Sequence, residues 1–181
     1  MTAPTTPDPL AIHRELLESW RKAMDLVGPG PVDEHFIDAE GAVRGLDASG
    51  PWLDLGSGAG FPGVTLAVRF PDAKVTLVER REKRAVFLLE VVARTGLRNL
   101  TVHQGDSASL PRGVWSGVIR RAYKPPPAYL ADAIDLLEPG GLAVLLTAGD
   151  APTPPPPLGL FHVERYTVDQ KPRASVRYRL S

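Results

Sequence analysis

The sequence Leu53-Asp54-Leu55-Gly56-Ser57-Gly58-Ala59-Gly60-Phe61-Pro62-Gly63 stands near the end of the first third of the chain. It follows an apolar run that predicts a strand over residues 51–55 and leads into a predicted helix over about 62–70. Alternate glycines let the backbone turn tightly and approach a ligand closely. Free amides at a helix N-terminus attract an anionic group. The stretch therefore predicts a ligand-binding turn between a strand and a helix.

Three kinds of nucleotide-binding loop compete for this stretch. A phosphate-binding loop needs a lysine where this chain has Val64, so that interpretation fails. A dinucleotide-binding loop needs a glycine at its sixth position, which is Phe61 when counted from Gly56. The third pattern is typical of Rossmann-like methyltransferases that use S-adenosylmethionine. Its acidic residue and three alternate glycines match Asp54, Gly56, Gly58 and Gly60.

The segments after this loop alternate between short apolar runs and amphipathic stretches. Further strands are predicted over residues 74–78, 100–102, 114–119, 142–146, 159–166 and 174–179, and further helices over 82–94 and about 126–137. This alternation predicts an α/β, doubly wound, Rossmann-like fold with a mostly parallel seven-stranded sheet. No helix separates the final two strands, so the last strand is expected to run antiparallel.

The first fifty residues predict an N-terminal helical extension over 10–48. Apolar residues at three-and-four spacing predict one helix from Leu10 to Val27, stopped by Gly28, and a second helical segment over 32–46. Residues 1–9 are expected to be a disordered tail. Residues 10–181 are expected to form a single methyltransferase domain, with its Rossmann-like core at 51–181.

The composition of the chain excludes several kinds of functional site. The 181 residues include no cysteine, which excludes thiolate metal sites and a cysteine nucleophile, and the four histidines lack metal-ligand spacing. We therefore expect no metal. No apolar run reaches the ~18 residues of a membrane span, and the polar N-terminus does not resemble a signal peptide. The expectation is a cytoplasmic monomer with no membrane contact.

Charge is distributed unevenly along the chain. Residues 1–50 carry nine acidic and four basic side chains, whereas residues 51–181 carry twelve acidic and seventeen basic ones. Either a polyanion partner or an ordinary solvated surface accounts for this balance. The basic residues that could form one phosphate-binding face are Arg80, Arg81, Lys83, Arg84, Arg94, Arg98, Arg120, Arg121 and Lys124.

Glu79 closes the strand that follows the glycine loop, twenty-three residues after Gly56. A carboxylate at this position can accept hydrogen bonds from both ribose hydroxyls of an adenosine ligand. The alternative is a surface glutamate paired with Arg80 or Arg81.

Several segments resemble the bacterial 16S ribosomal RNA guanine-N7 methyltransferases of the RsmG (GidB) type. Residues 20–26 resemble the family's Trp-…-Met-Asn-Leu, and residues 34–38 resemble its His-Phe-x-Asp-Ser. Residues 56–63 resemble its Gly-x-Gly-x-Gly-Leu/Phe-Pro-Gly. Residues 83–88 resemble its Lys-Lys/Arg-x-x-Phe-Leu, and residues 120–123 resemble its Ser-Arg-Ala-Phe. The Pro-Gly tail of the loop is the most specific of these matches. The resemblance spans about residues 16–147.

The resemblance implies methyl transfer from S-adenosyl-L-methionine to N7 of a guanine in small-subunit ribosomal RNA, with ribosomal RNA or the small subunit as partner. N7 carries a lone pair and no proton, so no general base is expected and Arg121 would position the base. The residues that the resemblance and the loop pattern place at the cofactor are Asp54, Gly56, Ser57, Gly58, Gly60, Phe61, Gly63, Glu79, Ser107, Ala108 and Arg121. The backbone at Ser107–Ala108 would meet the adenine edge.

The chain departs from the family pattern at several places. Asp25 replaces an asparagine, Ala39 a serine, and Asp106-Ser107-Ala108 the usual Arg-x-Glu. The prolines in residues 150–157 exclude the helix that usually follows the fifth strand, so an extended connection is expected. These departures motivate one alternative, a non-catalytic S-adenosylmethionine-binding or ribosome-associated paralogue. A small-molecule methyltransferase is a separate alternative.

Overall fold

The computed structural model describes residues 7–181. The helices are α1 (Pro9–Trp20), α2 (Val32–Val43), α3 (Gly63–Arg69), α4 (Glu82–Thr95) and α5 (Pro126–Leu136). The strands are β1 (Gly50–Leu55), β2 (Ala73–Glu79), β3 (Leu100–Gln104), β4 (Trp115–Arg120), β5 (Leu137–Thr147), β6 (Leu158–Val168) and β7 (Lys171–Leu180). No helix in this part of the chain is long and apolar enough to cross a membrane.

All seven strands form one sheet in the order β3-β2-β1-β4-β5-β7-β6. Strands β1 to β5 pair in parallel, and β7 runs antiparallel to both β5 and β6. The predicted fold class, including the antiparallel last strand, is confirmed. The expected single domain over 10–181 stays a prediction.

The two faces of the sheet bury separate apolar cores. Successive strand residues point to opposite faces, so Trp52 joins the core under α1 to α4 while Leu53 joins the core under α5.

The sequence of helix α4 explains which of its faces is buried and where the helix ends. Its buried residues Ala85, Leu88 and Val91 recur at helical spacing, and it ends at a left-handed Gly96.

The proline-rich segment after β5 covers the face that carries α5. Residues 148–157 contain no helix, as the prolines predict. Ala151 packs against the apolar core of that face, and the Tyr178 hydroxyl on β7 donates a 2.7 Å hydrogen bond to the Pro152 carbonyl. An extended strip of chain therefore takes the place of the missing helix.

The N-terminal helix is shorter than its apolar pattern predicts. It ends at Trp20, and the expected continuation to Val27 is wrong. Leu26 instead turns into the core, 5% exposed, and Arg84 donates a 2.8 Å hydrogen bond to the Asp25 carbonyl. Tertiary contacts with α4 thus override the local periodicity.

Several further boundaries differ from the predictions, and α2 ends at Val43 rather than at residue 46. Leu137, expected inside the last helix, begins β5, because its backbone pairs with Trp115 on β4. Pro9, expected in the disordered tail, begins α1, and Asp8 caps that helix by accepting a hydrogen bond from the Leu10 amide. Residues 1–6 of the expected tail lie outside the described residues.

The C-terminal hairpin, β6 with β7, is anchored to α2. Arg177 donates hydrogen bonds to the carbonyls of Arg44 and Gly45, just beyond the end of that helix. Gly41 lies against the Tyr166 ring, where an added Cβ would stand 2.4 Å from a ring carbon. The approach of α2 to the hairpin therefore requires a glycine at this position.

We predict that Gly41→Ala lowers the free energy of unfolding by about 1–3 kcal/mol, because the methyl group overpacks the contact with Tyr166. Urea denaturation measures the change. Gly28→Ala is the control, because no atom lies within 4 Å of the Cβ added there. Equal effects of the two substitutions would contradict the packing argument.

Candidate functional site

The glycine loop leaves the carboxyl end of β1, where the order of the parallel strands reverses. Strand β2 flanks β1 on one side and β4 on the other, so the chain winds outward in both directions from this point. Open α/β sheets bind ligands in the crevice at such a reversal. The loop predicted from sequence therefore lies where this fold places its ligand sites.

Asp54, on β1, holds the glycine loop through its buried carboxylate. It is fully buried, and its Oδ2 accepts a 3.0 Å hydrogen bond from the Gly63 amide at the start of α3. The Ser57 hydroxyl donates a 2.8 Å hydrogen bond to the Asp54 carbonyl. Burial raises the pKa of Asp54 to about 7, and within the described residues its Oδ1 has no hydrogen-bond partner.

Glu79, at the end of β2, also holds the glycine loop. Its Oε2 accepts a 3.0 Å hydrogen bond from the Gly58 amide, and its Oε1 accepts one of 2.8 Å from the Arg81 amide. A carboxylate has about four acceptor positions, so two remain for a ligand. The side chain is 6% exposed. The alternative of a surface glutamate paired with Arg80 or Arg81 does not describe its surroundings.

A cavity of about 280 Å³ opens beside the loop. The residues that line it are Gly56, Val78, Glu79, Arg80, Arg81, Arg84, Gly105, Asp106, Ala122, Tyr123 and Lys124. Gly56 has a φ of +69°, and a Cβ there would stand 2.6 Å from the Tyr123 ring. Glycine is thus needed both for the turn and for the close approach of this ring.

Ser107 and Ala108 line a smaller neighbouring cavity of about 120 Å³, which shares Asp106 and Lys124 with the first. The Ala108 amide donates a 3.0 Å hydrogen bond to Asp106 Oδ1. The Ser107 hydroxyl lies 3.2 Å from Asp132 and accepts a 3.1 Å hydrogen bond from Tyr123. Ser107 therefore links Tyr123, which lines the larger cavity, to Asp132.

The far end of the loop meets the N-terminal helices. Arg121 Nη1 donates a 3.1 Å hydrogen bond to His35 Nδ1, and its guanidinium carbon lies 4.9 Å from the centre of the Phe61 ring. Burial lowers the pKa of Arg121, which the charges of Asp38 and Asp54 partly offset. His35 is therefore a hydrogen-bonding and packing residue at this end of the loop.

His13 ties α1 to the loop. Its Nε2 donates a 2.7 Å hydrogen bond to the Ala59 carbonyl, and the side chain is fully buried. Burial is the main reason that the pKa of His13 falls to about 4, and the positive charge of Arg121 lowers it further. The imidazole is therefore neutral at physiological pH.

The predicted site residues fall into four groups. Gly56 and Glu79 line the larger cavity. The residues that shape and hold the loop are Asp54, Ser57, Gly58 and Gly63. Gly60, Phe61 and Arg121 lie on the side of α1 and α2. Ser107 and Ala108 line the neighbouring cavity. Their roles at a cofactor stay predictions.

The lining residues of the larger cavity that were not among the predicted cofactor contacts include Asp106, Tyr123 and Lys124. Asp106 is an acidic residue that lies two positions after the end of the parallel strand β3. That position was the signal that could have identified it, since the carboxyl ends of neighbouring parallel strands meet at one edge.

The predicted basic face is only partly assembled. Arg80, Arg81, Arg84 and Lys124 line the larger cavity. Arg98 lies instead in a groove with Lys74, at the amino ends of β2 and β3. Arg120 is buried, 6% exposed, with its guanidinium over the Tyr129 ring. The structure therefore excludes both Arg98 and Arg120 from one continuous surface with the others.

Comparison with known proteins identifies relatives over most of the chain. Residues 8–152 match the family model described as "GidB: rRNA small subunit methyltransferase G". Ribosomal RNA small subunit methyltransferase G of Pseudomonas paraeruginosa is 36% identical over 119 residues, covering 63% of this chain and 56% of the relative. The protein of the same name from Kineococcus radiotolerans is 34% identical over 150 residues, covering 80% and 59%.

The fold is shared with solved methyltransferase structures. A SAM-dependent methyltransferase from Aquifex aeolicus superposes with a TM-score of 0.60 at 19% identity, over 97% of this chain and 100% of that one. This similarity supports the fold alone. The chain spans somewhat more than half the length of the curated relatives that it matches.

The buried His13 predicts a loss of stability in acid. The unfolded chain protonates this residue near its usual pKa of 6.5, whereas the folded chain holds it neutral down to about 4. Its contribution to the free energy of unfolding is therefore present above pH 6.5 and falls by about 3 kcal/mol as the pH drops to 4.

Comparison with His13→Gln isolates this contribution, because Asp54, whose raised pKa acts in the opposite direction, is present in both proteins. Glutamine keeps a donor for the Ala59 carbonyl. Urea denaturation from pH 4 to 7 should show a steeper acid loss in the wild type. Parallel pH profiles would contradict the assignment.

Proposed function

Because the chain belongs to the GidB family of rRNA small subunit methyltransferases, we propose that it transfers a methyl group from S-adenosyl-L-methionine to N7 of a guanine in small-subunit ribosomal RNA. The observation that carries the proposal is the buried Glu79 carboxylate, which joins the glycine loop to the wall of a cavity at the strand-order reversal. The relatives named ribosomal RNA small subunit methyltransferase G extend beyond the matched segment, so activity, substrate and partner are proposed for this chain.

The residues around the cavity suit this cofactor. Glu79 retains two acceptor positions for the ribose hydroxyls. Asp106 is exposed at the cavity wall and can accept a hydrogen bond from the adenine amine. The cradle at Gly56, which a Cβ would fill, supports close contact between backbone and ligand. Ser57, Gly58, Gly60 and Gly63 are proposed to shape the part of the loop that meets the methionine end.

The bound cofactor supplies an electrophilic methyl group on a sulfonium. Guanine N7 has a lone pair and no proton, so the protein needs to position the base rather than remove a proton. Arg121 is proposed to hydrogen-bond guanine O6 or to stack on the base. Phe61 and His35 pack beside this guanidinium, which supports a partly dehydrated place for the acceptor.

The basic side chains at the cavity support an RNA partner. Arg80 and Arg81 are exposed there, and Lys124 lines the same cavity. Side chains of this kind bind phosphate groups and position a nucleic acid without reading its sequence. The proposed partner is ribosomal RNA, naked or in the small subunit, and the proposed setting is a monomer in the cytoplasm.

We predict that Gly56→Ala weakens the binding of S-adenosylhomocysteine by at least about tenfold, because its Cβ would force the Tyr123 ring to shift in the cavity wall. Isothermal titration calorimetry measures the affinity. Gly113→Ala is a matched control, since Gly113 has the same φ of +69° but open space around its Cβ. The cofactor assignment fails if wild-type protein binds no ligand or if both variants bind equally.

We predict that Arg80→Ala combined with Arg81→Ala raises the KM for small ribosomal subunits by about tenfold and reduces the salt dependence of RNA binding. Lys74→Ala combined with Arg98→Ala removes the same charge from the groove at the amino ends of the strands and should leave the KM unchanged. Labelled methyl transfer measures the KM, and calorimetry with S-adenosylhomocysteine separates RNA from cofactor effects. Similar KM values for the two double variants would contradict the proposed RNA surface.

A further inference from the structure

Tyr166, on the C-terminal hairpin, reaches across to the N-terminal helix α2. Its hydroxyl donates a 2.9 Å hydrogen bond to Asp38 Oδ1, although the two residues lie 128 positions apart. The side chain is 9% exposed, and its ring packs against Gly41. Both contacts hold the phenol in one place, so the hydroxyl constrains how the Asp38 carboxylate is turned.

The other oxygen of that carboxylate faces Arg121. Asp38 Oδ2 lies 3.5 Å from Arg121 Nη1, and this ion pair is largely shielded, with the two side chains 14% and 22% exposed. His35 Nδ1 lies 3.1 Å from the same nitrogen. Arginine has only donors, so His35 Nδ1 is the acceptor and its proton is on Nε2. A chain of contacts thus runs from Tyr166 through Asp38 to Arg121.

These contacts hold the Arg121 guanidinium through one nitrogen, Nη1. Nη1 has both protein partners, whereas Nε and Nη2 have no hydrogen-bond partner within residues 7–181. The ring of Phe61 lies beneath the guanidinium, 4.9 Å away. The arrangement fixes the plane of the group while leaving donors for a ligand.

The two oxygens of the Asp38 carboxylate have different partners, Tyr166 at one and Arg121 at the other. The bond from Tyr166 occupies Oδ1 and keeps Oδ2 directed at Arg121.

We propose that Tyr166 is a positioning residue for Arg121, acting through Asp38, so that the C-terminal hairpin sets the orientation of the arginine at the acceptor site. Residue 166 lies beyond the segment that matches the family model, which ends at residue 152. The link between Tyr166 and Arg121 stands on contacts alone. Its effect on methyl transfer rests on the proposed function.

The kinetic test is Tyr166→Phe, which removes only the hydroxyl. We expect kcat for methyl transfer to fall about five- to tenfold, because a displaced arginine misplaces the base. The affinity for S-adenosylhomocysteine should change less than about twofold. Tyr178→Phe is the matched control, since it removes a hydroxyl bonded to the Pro152 carbonyl from the other face of the same hairpin, and its kcat should not change. An unchanged kcat in Tyr166→Phe, or an equal loss in both variants, would overturn the proposal.

A second test needs no enzymatic activity. In a double-mutant cycle, Tyr166→Phe and Arg121→Met should be non-additive in the unfolding equilibrium constant by about fivefold, a coupling typical of residues in one network. Repeating the cycle in an Asp38→Asn background should abolish the coupling. Additive effects in the wild-type background would overturn the link. If the wild-type protein transfers no methyl group to RNA, the proposed function fails while this cycle still decides the positioning role.

Discussion

Two buried carboxylates hold the glycine loop, and the rest of the site depends on them. Asp54 accepts a hydrogen bond from the amide of Gly63, and Glu79 accepts one from the amide of Gly58. A glycine-rich backbone has more conformations to lose than any other, so it needs partners to stay in one of them. Because these partners come from neighbouring parallel strands, β1 and β2, the shape of the loop follows from the register of the sheet.

The loop also joins parts of the chain that are distant in sequence. His13 on α1 donates to the Ala59 carbonyl, and Phe61 packs against Phe36 on α2 with ring centroids 4.9 Å apart. Helix α2 in turn contacts the C-terminal hairpin at Gly41 and through Tyr166. The N-terminal helices thus connect the loop to the hairpin, and a disturbance of the hairpin can reach Arg121 without touching the cofactor cavity.

Local patterns in the sequence predicted the alternation of strands and helices, the glycine loop and the role of Pro152 and its neighbours, because each depends on periodicity or on backbone chemistry within a few residues. Contacts between distant segments were not predictable. Helix α1 ends at Trp20 because α4 holds the following turn. Arg98 lies at the amino ends of the strands, and Arg120 packs over Tyr129 on α5, so neither joins the basic face. The bond from Tyr166 to Asp38 has no local signature at all.

Mapping the transferred methyl group decides whether the protein methylates a guanine of small-subunit RNA. Small ribosomal subunits from cells that lack this gene would be incubated with the protein and S-adenosylmethionine carrying a deuterated methyl group. Nuclease digestion and mass spectrometry would then locate the label. We expect deuterated 7-methylguanosine at one position of the RNA. Label in a different nucleoside would contradict the proposed function. So would the absence of label from both naked RNA and assembled subunits.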